Sequence, residues 1–313
     1  MDATTIKKKA LQLGYSSCGI IPATPFEEYQ NALDERVKSF PESKNLYEPL
    51  YGFVNPHEKA KSIIICIRGY TQYKIPKSLQ GRIGKYYLFS RYASYSYENR
   101  SKNEFESYLV TTGIQILNEN IPARLAAVKA GLGYFGCNTF FYTKEHGSYN
   151  GIDTWVVDKE LDYDPVRKIT QAPGCSEKCH KCVQACPTKA LNKSHSMDRG
   201  HCLPRMLYSK KEPSSDEYEA MGEWLFGCDI CQDVCPLNHG KFTEAEEFPL
   251  LSQLEPLLQP EAILVMDEYT YRKVIHPQFP FAGKDGLPIW KRNALRAKEL
   301  ANRGVSPHTP QTF

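Results

Sequence analysis

Two cysteine runs, each closed by Cys-Pro, constrain this chain more tightly than any other feature. They are Cys175-Ser-Glu-Lys-Cys179-His-Lys-Cys182-Val-Gln-Ala-Cys186-Pro187 and Cys228-Asp-Ile-Cys231-Gln-Asp-Val-Cys235-Pro236, with Cys202 between them. A 4Fe–4S cluster needs four thiolates converging on one cube. In two-cluster ferredoxins the cysteine before proline crosses from its own run to the other cluster. By that rule Cys175, Cys179, Cys182 and Cys235 hold one cluster, and Cys186, Cys202, Cys228 and Cys231 hold the other. The first gap has three intervening residues instead of two, which makes Cys175 the least regular ligand. Paired zinc sites also use Cys–x2–Cys spacings. The Cys-Pro endings, and His180 as the one histidine inside either run, argue for clusters instead.

Electron transfer alone would not need 313 residues. The part outside the cysteine module should hold the site that consumes the electrons. The net charge of +3 describes neither a polybasic nucleic-acid binder nor an acidic tail. The N-terminus has basic residues but no apolar stretch behind them and no twin-arginine pair. No apolar run approaches membrane-spanning length. The reading is a soluble, cytoplasmic protein with no membrane association, where cysteines ligate metal rather than form disulfides.

Ile6, Ala10, Leu11 and Leu13 predict a helix over 4–13, capped by Gly14. Strands are expected at 17–21 and 63–67, and a helix over 26–40 that breaks at Pro41. A long helix is expected over 104–117 and another from Pro122 through Lys129. The glycine-dense loop 131–136 follows, then strands at 140–142 and 154–157. This alternation predicts an α/β layered domain over 1–170. Residues 171–240 form the cysteine module, with a capped helix over 214–226 closing at Gly227. Residues 241–313 predict a helical tail packed on the first two parts, with a helix around 290–302 and a frayed end from Gly304. Cys18 and Cys66 fall in predicted strands and read as core residues.

Four segments then carry a family resemblance. Ala127-Val-Lys-Ala-Gly-Leu-Gly-Tyr-Phe-Gly-Cys-Asn-Thr139 resembles the AGLGxxGKNT signature of epoxyqueuosine reductases, with Cys137 where the family has Lys. Ala10-Leu-Gln-Leu-Gly-Tyr-Ser-Ser-Cys-Gly-Ile20 resembles the family's N-terminal helix–strand unit. Gly227-Cys-Asp-Ile-Cys-Gln-Asp-Val-Cys-Pro236 is similar to its second cluster motif, and Trp290-Lys-Arg-Asn-Ala-Leu295 to its LLRNA segment. The family's DYH element is not matched after Ser90-Arg-Tyr-Ala93. The resemblance implies an α+β protein, a nitroreductase-like α/β/α cobalamin-binding domain fused to a two-cluster ferredoxin-like module. It implies cobalamin beside the two 4Fe–4S clusters and a low-potential electron donor such as ferredoxin or flavodoxin. The implied substrate is epoxyqueuosine in tRNA, reduced to queuosine, or a related substrate. Family members usually continue into a C-terminal helical-repeat domain that grips tRNA. The chain stops soon after its Arg-Asn-Ala segment, so the expectation is a short member without those repeats.

The resemblance assigns the cofactor loop to Gly131, Leu132, Gly133, Gly136, Cys137, Asn138 and Thr139. Glycines let backbone approach a large flat ring and present N–H donors. A tight helix-to-strand turn would use the same glycines. No acidic residue follows at the distance a dinucleotide fingerprint requires. The resemblance places a proton donor at Glu119, where the family carries Asp. Reductive dehalogenases, similar in plan, use a Tyr. The group Tyr86, Tyr87, Tyr92, Tyr95 and Tyr97 supplies candidates, Tyr95 among them, with Lys85 and Arg91 close enough in sequence to favour a phenolate. Three functions stand at this point. They are a cobalamin-dependent reductase related to epoxyqueuosine reductase, a reductive dehalogenase-like enzyme on a small organic substrate, and a ferredoxin-type carrier reducing a corrinoid on a partner protein.

Overall fold

A computed structural model describes residues 2–304 apart from 118, 177 and 194, so the expected frayed end at 305–313 lies outside the described residues. The chain divides into two compact units, each assembled from separate stretches. The first comprises 1–70, 100–179 and 194–196, and the second 71–99, 180–193 and 197–313. Residues 71–99, read above with the first domain, belong to the second unit.

The first unit is built on the strands β1 (Ser17–Pro22), β2 (Ser62–Gly69), β3 (Ile116–Leu117) and β6 (Asn150–Val157), ordered β1-β2-β6-β3, with every neighbouring pair antiparallel. A separate ribbon pairs β4 (Tyr134–Phe135) with β5 (Phe141–Tyr142). The longer helices of this unit are α1 (Ala3–Gln12), α2 (Glu27–Ser39), α3 (Tyr97–Thr111, from Arg100 onward) and α4 (Ala123–Lys129). β2 is buried along its whole length because helices cover both faces of the sheet. Side chains alternate along a strand. Ile64 and Cys66 therefore pack with Ile6 and Ala10 of α1, Phe105 and Leu109 of α3, and Trp155. Ile63, Ile65 and Ile67 pack on the other side with Leu125, Ala126, Ala127 and Val128 of α4. These isoleucines are fully buried, worth about 1.5–3 kcal/mol apiece. Cys18 and Cys66 are register partners on β1 and β2; Cys66 is buried in the first of these cores, as the sequence suggests, and Cys18 is partly buried against it.

The long helix differs from its expected span. α3 starts earlier and ends at Thr111, because Gly113 takes φ +77 and turns the chain out of the helix. Ile116 and Leu117 then pair with Val157 and Val156 as an edge strand.

The second unit carries α5 (Lys181–Ala185), α6 (Leu203–Tyr208), α7 (Ser215–Ala220), α8 (Ile230–Asp233) and α9 (Leu287–Asn302). The capping box at α7 is present. Ser214 accepts the Glu217 N–H, and the Glu217 carboxylate accepts the Ser214 N–H. The helix nevertheless stops well before Gly227, since Gly222 takes φ +52. The residues after it turn inward instead, burying Trp224, Leu225 and Phe226.

The Arg-Asn-Ala stretch of α9 gains a physical meaning here. Asn293 donates to the carbonyls of Leu207 and Leu225, each at 3.0 Å. Arg292 donates to the carbonyls of Ser209 at 2.8 Å and Lys211 at 3.0 Å. Arg296, wholly buried, donates to the carbonyls of Gly222 and Trp224. A buried carbonyl left unpaired costs about 1–3 kcal/mol. These side chains therefore hold the irregular backbone between α6 and α8 in shape, and Phe226 stacked on Trp290 at 4.9 Å closes the same junction.

Candidate functional site

The second unit gathers the cysteines assigned to one cluster. α5 carries Cys182 and α8 carries Cys231, and the two short helices pack on each other. Cys186 (φ −70, ψ 110) and Cys235 (φ −79, ψ 121) are extended, the conformation a following proline imposes. Each Cys-Pro thus ends its run by turning the chain away. Burial pushes the Cys228 thiol well above its ordinary range, and Cys202 and Cys186 add to the rise. Burial does the same to Cys231, with further contributions from Cys228, Cys202, Cys186 and Cys182. Cys182, Cys186, Cys202, Cys228 and Cys231 therefore share one region, which contains the four that the crossing rule assigned together and Cys182 from the other set. Thiolates packed this way need a compensating cation, which a cluster provides. Among the described residues no three His, Cys, Asp or Glu side chains close up as around a single metal ion. A cubane spaces its thiolates more widely than that. Cys175 and Cys179 belong to the first unit, Cys182 and Cys235 to the second.

The glycine loop begins where α4 ends. Gly131 takes φ +73, a conformation open to glycine at little cost. A Cβ on Gly133 would lie 2.4 Å from the Tyr142 carbonyl oxygen and 2.5 Å from the Phe141 ring. One on Gly136 would lie 2.4 Å from the Tyr142 ring. These two glycines are thus required by the close packing of the loop on β5. Thr139 holds φ +68, which a β-branched residue rarely adopts. Its carbonyl accepts from Arg124 at 2.8 Å, so the end of the loop returns to the first turn of α4. Asn138 is buried, donating to the Tyr142 hydroxyl at 2.9 Å. Gly131, Leu132, Gly133 and Thr139 retain exposed surface, whereas Gly136, Cys137 and Asn138 are buried.

Cys137 sits at a junction that the sequence gives no reason to expect. Its N–H donates to the Cys175 sulfur at 3.3 Å. Its carbonyl accepts from the His195 N–H at 2.8 Å, and its own sulfur lies 3.8 Å from His195 Nε2. Gln171 Nε2 donates both to the Cys137 sulfur at 3.4 Å and to the Cys175 carbonyl. Neither Gln171 nor His195 belongs to a motif. The weak signal for Gln171 is its place just ahead of the first cluster cysteine.

The two candidate acids sit in different units and in different states. Glu119 lies just ahead of α4, on the side to which Thr139 returns. One of its carboxylate oxygens accepts the His57 N–H at 3.0 Å. The Tyr95 hydroxyl donates to Gln278 Oε1 at 2.5 Å, and burial pushes its pKa up to about 12. Lys85 is mostly buried and ion-paired with Asp233 at 2.5 Å and Asp229 at 3.5 Å. Burial alone would lower its pKa, but the two carboxylates outweigh that and raise it.

Residues 175–238 match the family described as a 4Fe-4S double cluster binding domain. An epoxyqueuosine reductase of Cyclobacterium marinum is 29% identical over 260 residues, covering 77% of this chain and 81% of the relative. Among solved structures, epoxyqueuosine reductase from Bacillus subtilis has the same fold, with a TM-score of 0.76 at 23% identity over 95% of this chain and 80% of that one. An epoxyqueuosine reductase with a tRNA-Tyr epoxyqueuosine-modified stem loop gives a TM-score of 0.73 at 25% identity, with the same coverage of 95% and 80%. No helix among the described residues is long and apolar enough to cross a membrane.

Proposed function

The chain belongs to the epoxyqueuosine reductase family, and on that premise we propose that it is a cobalamin- and iron–sulfur-dependent reductase converting epoxyqueuosine in tRNA to queuosine. The observation that carries this is the gathering of Cys186, Cys202, Cys228 and Cys231 within the matched double-cluster segment. Cys175, Cys179, Cys182 and Cys235 would hold the other 4Fe–4S cluster. A relative bound to a modified tRNA stem loop supports the substrate. A low-potential ferredoxin or flavodoxin in the cytoplasm would supply the electrons.

Cobalamin, when bound, supplies low-valent cobalt as the reducing centre. The exposed backbone of Gly131, Leu132 and Gly133, with Thr139, fits a large flat group. Gly136, Cys137 and Asn138 would brace the loop from behind. Glu119 is the better proton donor of the two candidates. The His57 N–H fixes one of its carboxylate oxygens and so orients the group. A positioned carboxylic acid can give a proton to a developing oxyanion. Tyr95 has its proton engaged by Gln278 and a pKa too far above neutrality for that task.

Anaerobic purification with iron, sulfide and cobalamin reconstitution tests the reading. About eight irons and one cobalt per chain, with turnover of epoxyqueuosine-containing tRNA, are expected. Iron binding without cobalt, or a fully loaded protein that leaves the modified tRNA unchanged, would sink it.

A further inference from the structure

We infer that Gln171 and the backbone of Cys137 form a strap that positions Cys175 and sets the reduction potential of the cluster it holds. The inference rests on Cys175 being a cluster ligand, as proposed above.

The strap is continuous through the first unit. Phe135, within the glycine loop, donates its N–H to the Thr170 carbonyl at 3.1 Å and accepts the Ala172 N–H at 2.8 Å. The segment carrying Gln171 is therefore zipped to the loop. Gly174 then takes φ +85, and the Cys175 N–H closes a turn onto the Ala172 carbonyl at 2.9 Å. That turn delivers the sulfur to the Cys137 N–H. Gln171 spans the gap from inside, reaching the Cys137 sulfur and the Cys175 carbonyl with one amide nitrogen. The His195 N–H holds the Cys137 carbonyl from the other side. Cys175 is thus placed by the glycine loop rather than by the spacing of its own run. That accounts for a first gap one residue longer than the ferredoxin pattern.

A donor aimed at a ligating sulfur has a predictable effect. Reduction adds negative charge to the cluster and its thiolates, and an N–H directed at a sulfur stabilises that charge. Hydrogen bonds to the sulfurs accordingly set cluster potentials. The strap should raise the potential of the Cys175 cluster above that of an otherwise identical cluster without it. The Gln171 amide acts through its neighbours: it holds the Cys175 carbonyl and the Cys137 sulfur, and so fixes the Cys137 peptide whose N–H meets the Cys175 sulfur. It is a positioning residue, and its loss should reach the cluster as a change in potential.

The test uses the reconstituted full chain in an EPR-monitored redox titration, with iron counted per chain. Cys175→Ser identifies which of the two signals belongs to this cluster. Gln171→Leu keeps the volume and removes both donors, and Gln171→Glu replaces the donor with a negative charge. The expected result is a lower potential for that one signal in Gln171→Leu and a lower one still in Gln171→Glu, with the other signal unmoved. Selective loss of the same signal in either variant, the other intact, also supports the strap. Two unchanged potentials with full iron in both variants would overturn it, and so would Cys175→Ser leaving both signals untouched. A wild-type chain that binds no iron would instead refute the cluster assignment itself, which keeps the two failures distinct.

Discussion

Tyr95 and Gln278 form a closed latch. The tyrosine hydroxyl donates to the amide oxygen at 2.5 Å, while the amide nitrogen donates to the carbonyls of Tyr87 at 3.0 Å and Leu88 at 2.7 Å. Both polar atoms of the Gln278 side chain are thereby engaged, the nitrogen with backbone and the oxygen with the Tyr95 hydroxyl. A hydroxyl so engaged is a structural part of its unit, which separates the two acids the sequence had left open.

The first prediction follows from that separation. Glu119→Gln should lower turnover by about 10²–10⁴-fold, the usual contribution of a positioned acid, with metal content unchanged. Tyr95→Phe should stay within about tenfold of wild type and lower stability by about 1 kcal/mol. Single-turnover rates at matched iron and cobalt loading decide it. A Glu119→Gln enzyme with full activity would remove Glu119 as the donor.

Alkaline pH offers an independent check on the latch. Burial holds the folded pKa of Tyr95 at about 12, whereas an unfolded tyrosine ionises near about 10. A raised folded pKa gives stability that is fully present below about pH 10 and lost as pH rises from there through about 12. Tyr271 behaves alike, also at about 12 through burial. Urea midpoints should fall above about pH 10, and Tyr95→Phe should shallow that fall by up to one proton. An identical slope in the variant would show that Tyr95 ionises as freely when folded as when unfolded.

The parts of this molecule that were legible in its sequence are those with local causes. β2 was visible as an unbroken β-branched run, α4 as a helix behind Pro122, and the extended backbone of Cys186 and Cys235 from the prolines after them. What escaped depended on contacts distant in sequence. Lys85 stands beside the tyrosines in the chain, yet its partners are Asp229 and Asp233, more than a hundred residues away. Gln171 and His195 meet at Cys137 with no periodicity to announce them. The glycines of the loop were visible, but not what they accommodate. At Gly133 and Gly136 the neighbour is the chain's own β5.

That accommodation can be measured. Gly133→Ala would press a methyl into the Tyr142 carbonyl and the Phe141 ring, an overpacking worth about 1–3 kcal/mol. A Cβ at Gly52 meets nothing within 4 Å, so Gly52→Ala should change stability by less than about 0.5 kcal/mol. Urea denaturation of the two variants gives the comparison. Equal midpoints would mean that the loop has room to move off β5.

Cys202 lies outside both runs, so its role is the sharpest test of the second ligand set. Cys202→Ala should lose about half of about eight irons per chain, the content of one cubane out of two, and Cys231→Ala should give the same deficit. The double variant should lose no more than either alone, because both remove the same cluster. Iron and sulfide analysis after reconstitution reads this directly. Full iron in Cys202→Ala would assign the fourth ligand elsewhere.

Lys85 links the tyrosine segment to the second cysteine run. Its side chain is only 15% exposed, against 4% for the Asp229 and 14% for the Asp233 side chain. Asp229 also accepts the Lys85 backbone N–H at 2.6 Å. It directly precedes Ile230 at the start of α8, the helix that carries Cys231. Removing one member of a buried ion pair leaves its partners uncompensated, typically at a cost of about 3–5 kcal/mol. Lys85→Met should therefore destabilise strongly and weaken retention of the cluster held by Cys228 and Cys231. Combining it with Asp233→Asn takes away one of the stranded charges and should recover part of the loss, a coupling of about 0.5–3 kcal/mol in a double-mutant cycle. Additive losses in that cycle would show that the lysine acts through packing alone, with its charge doing nothing for the motif beneath it.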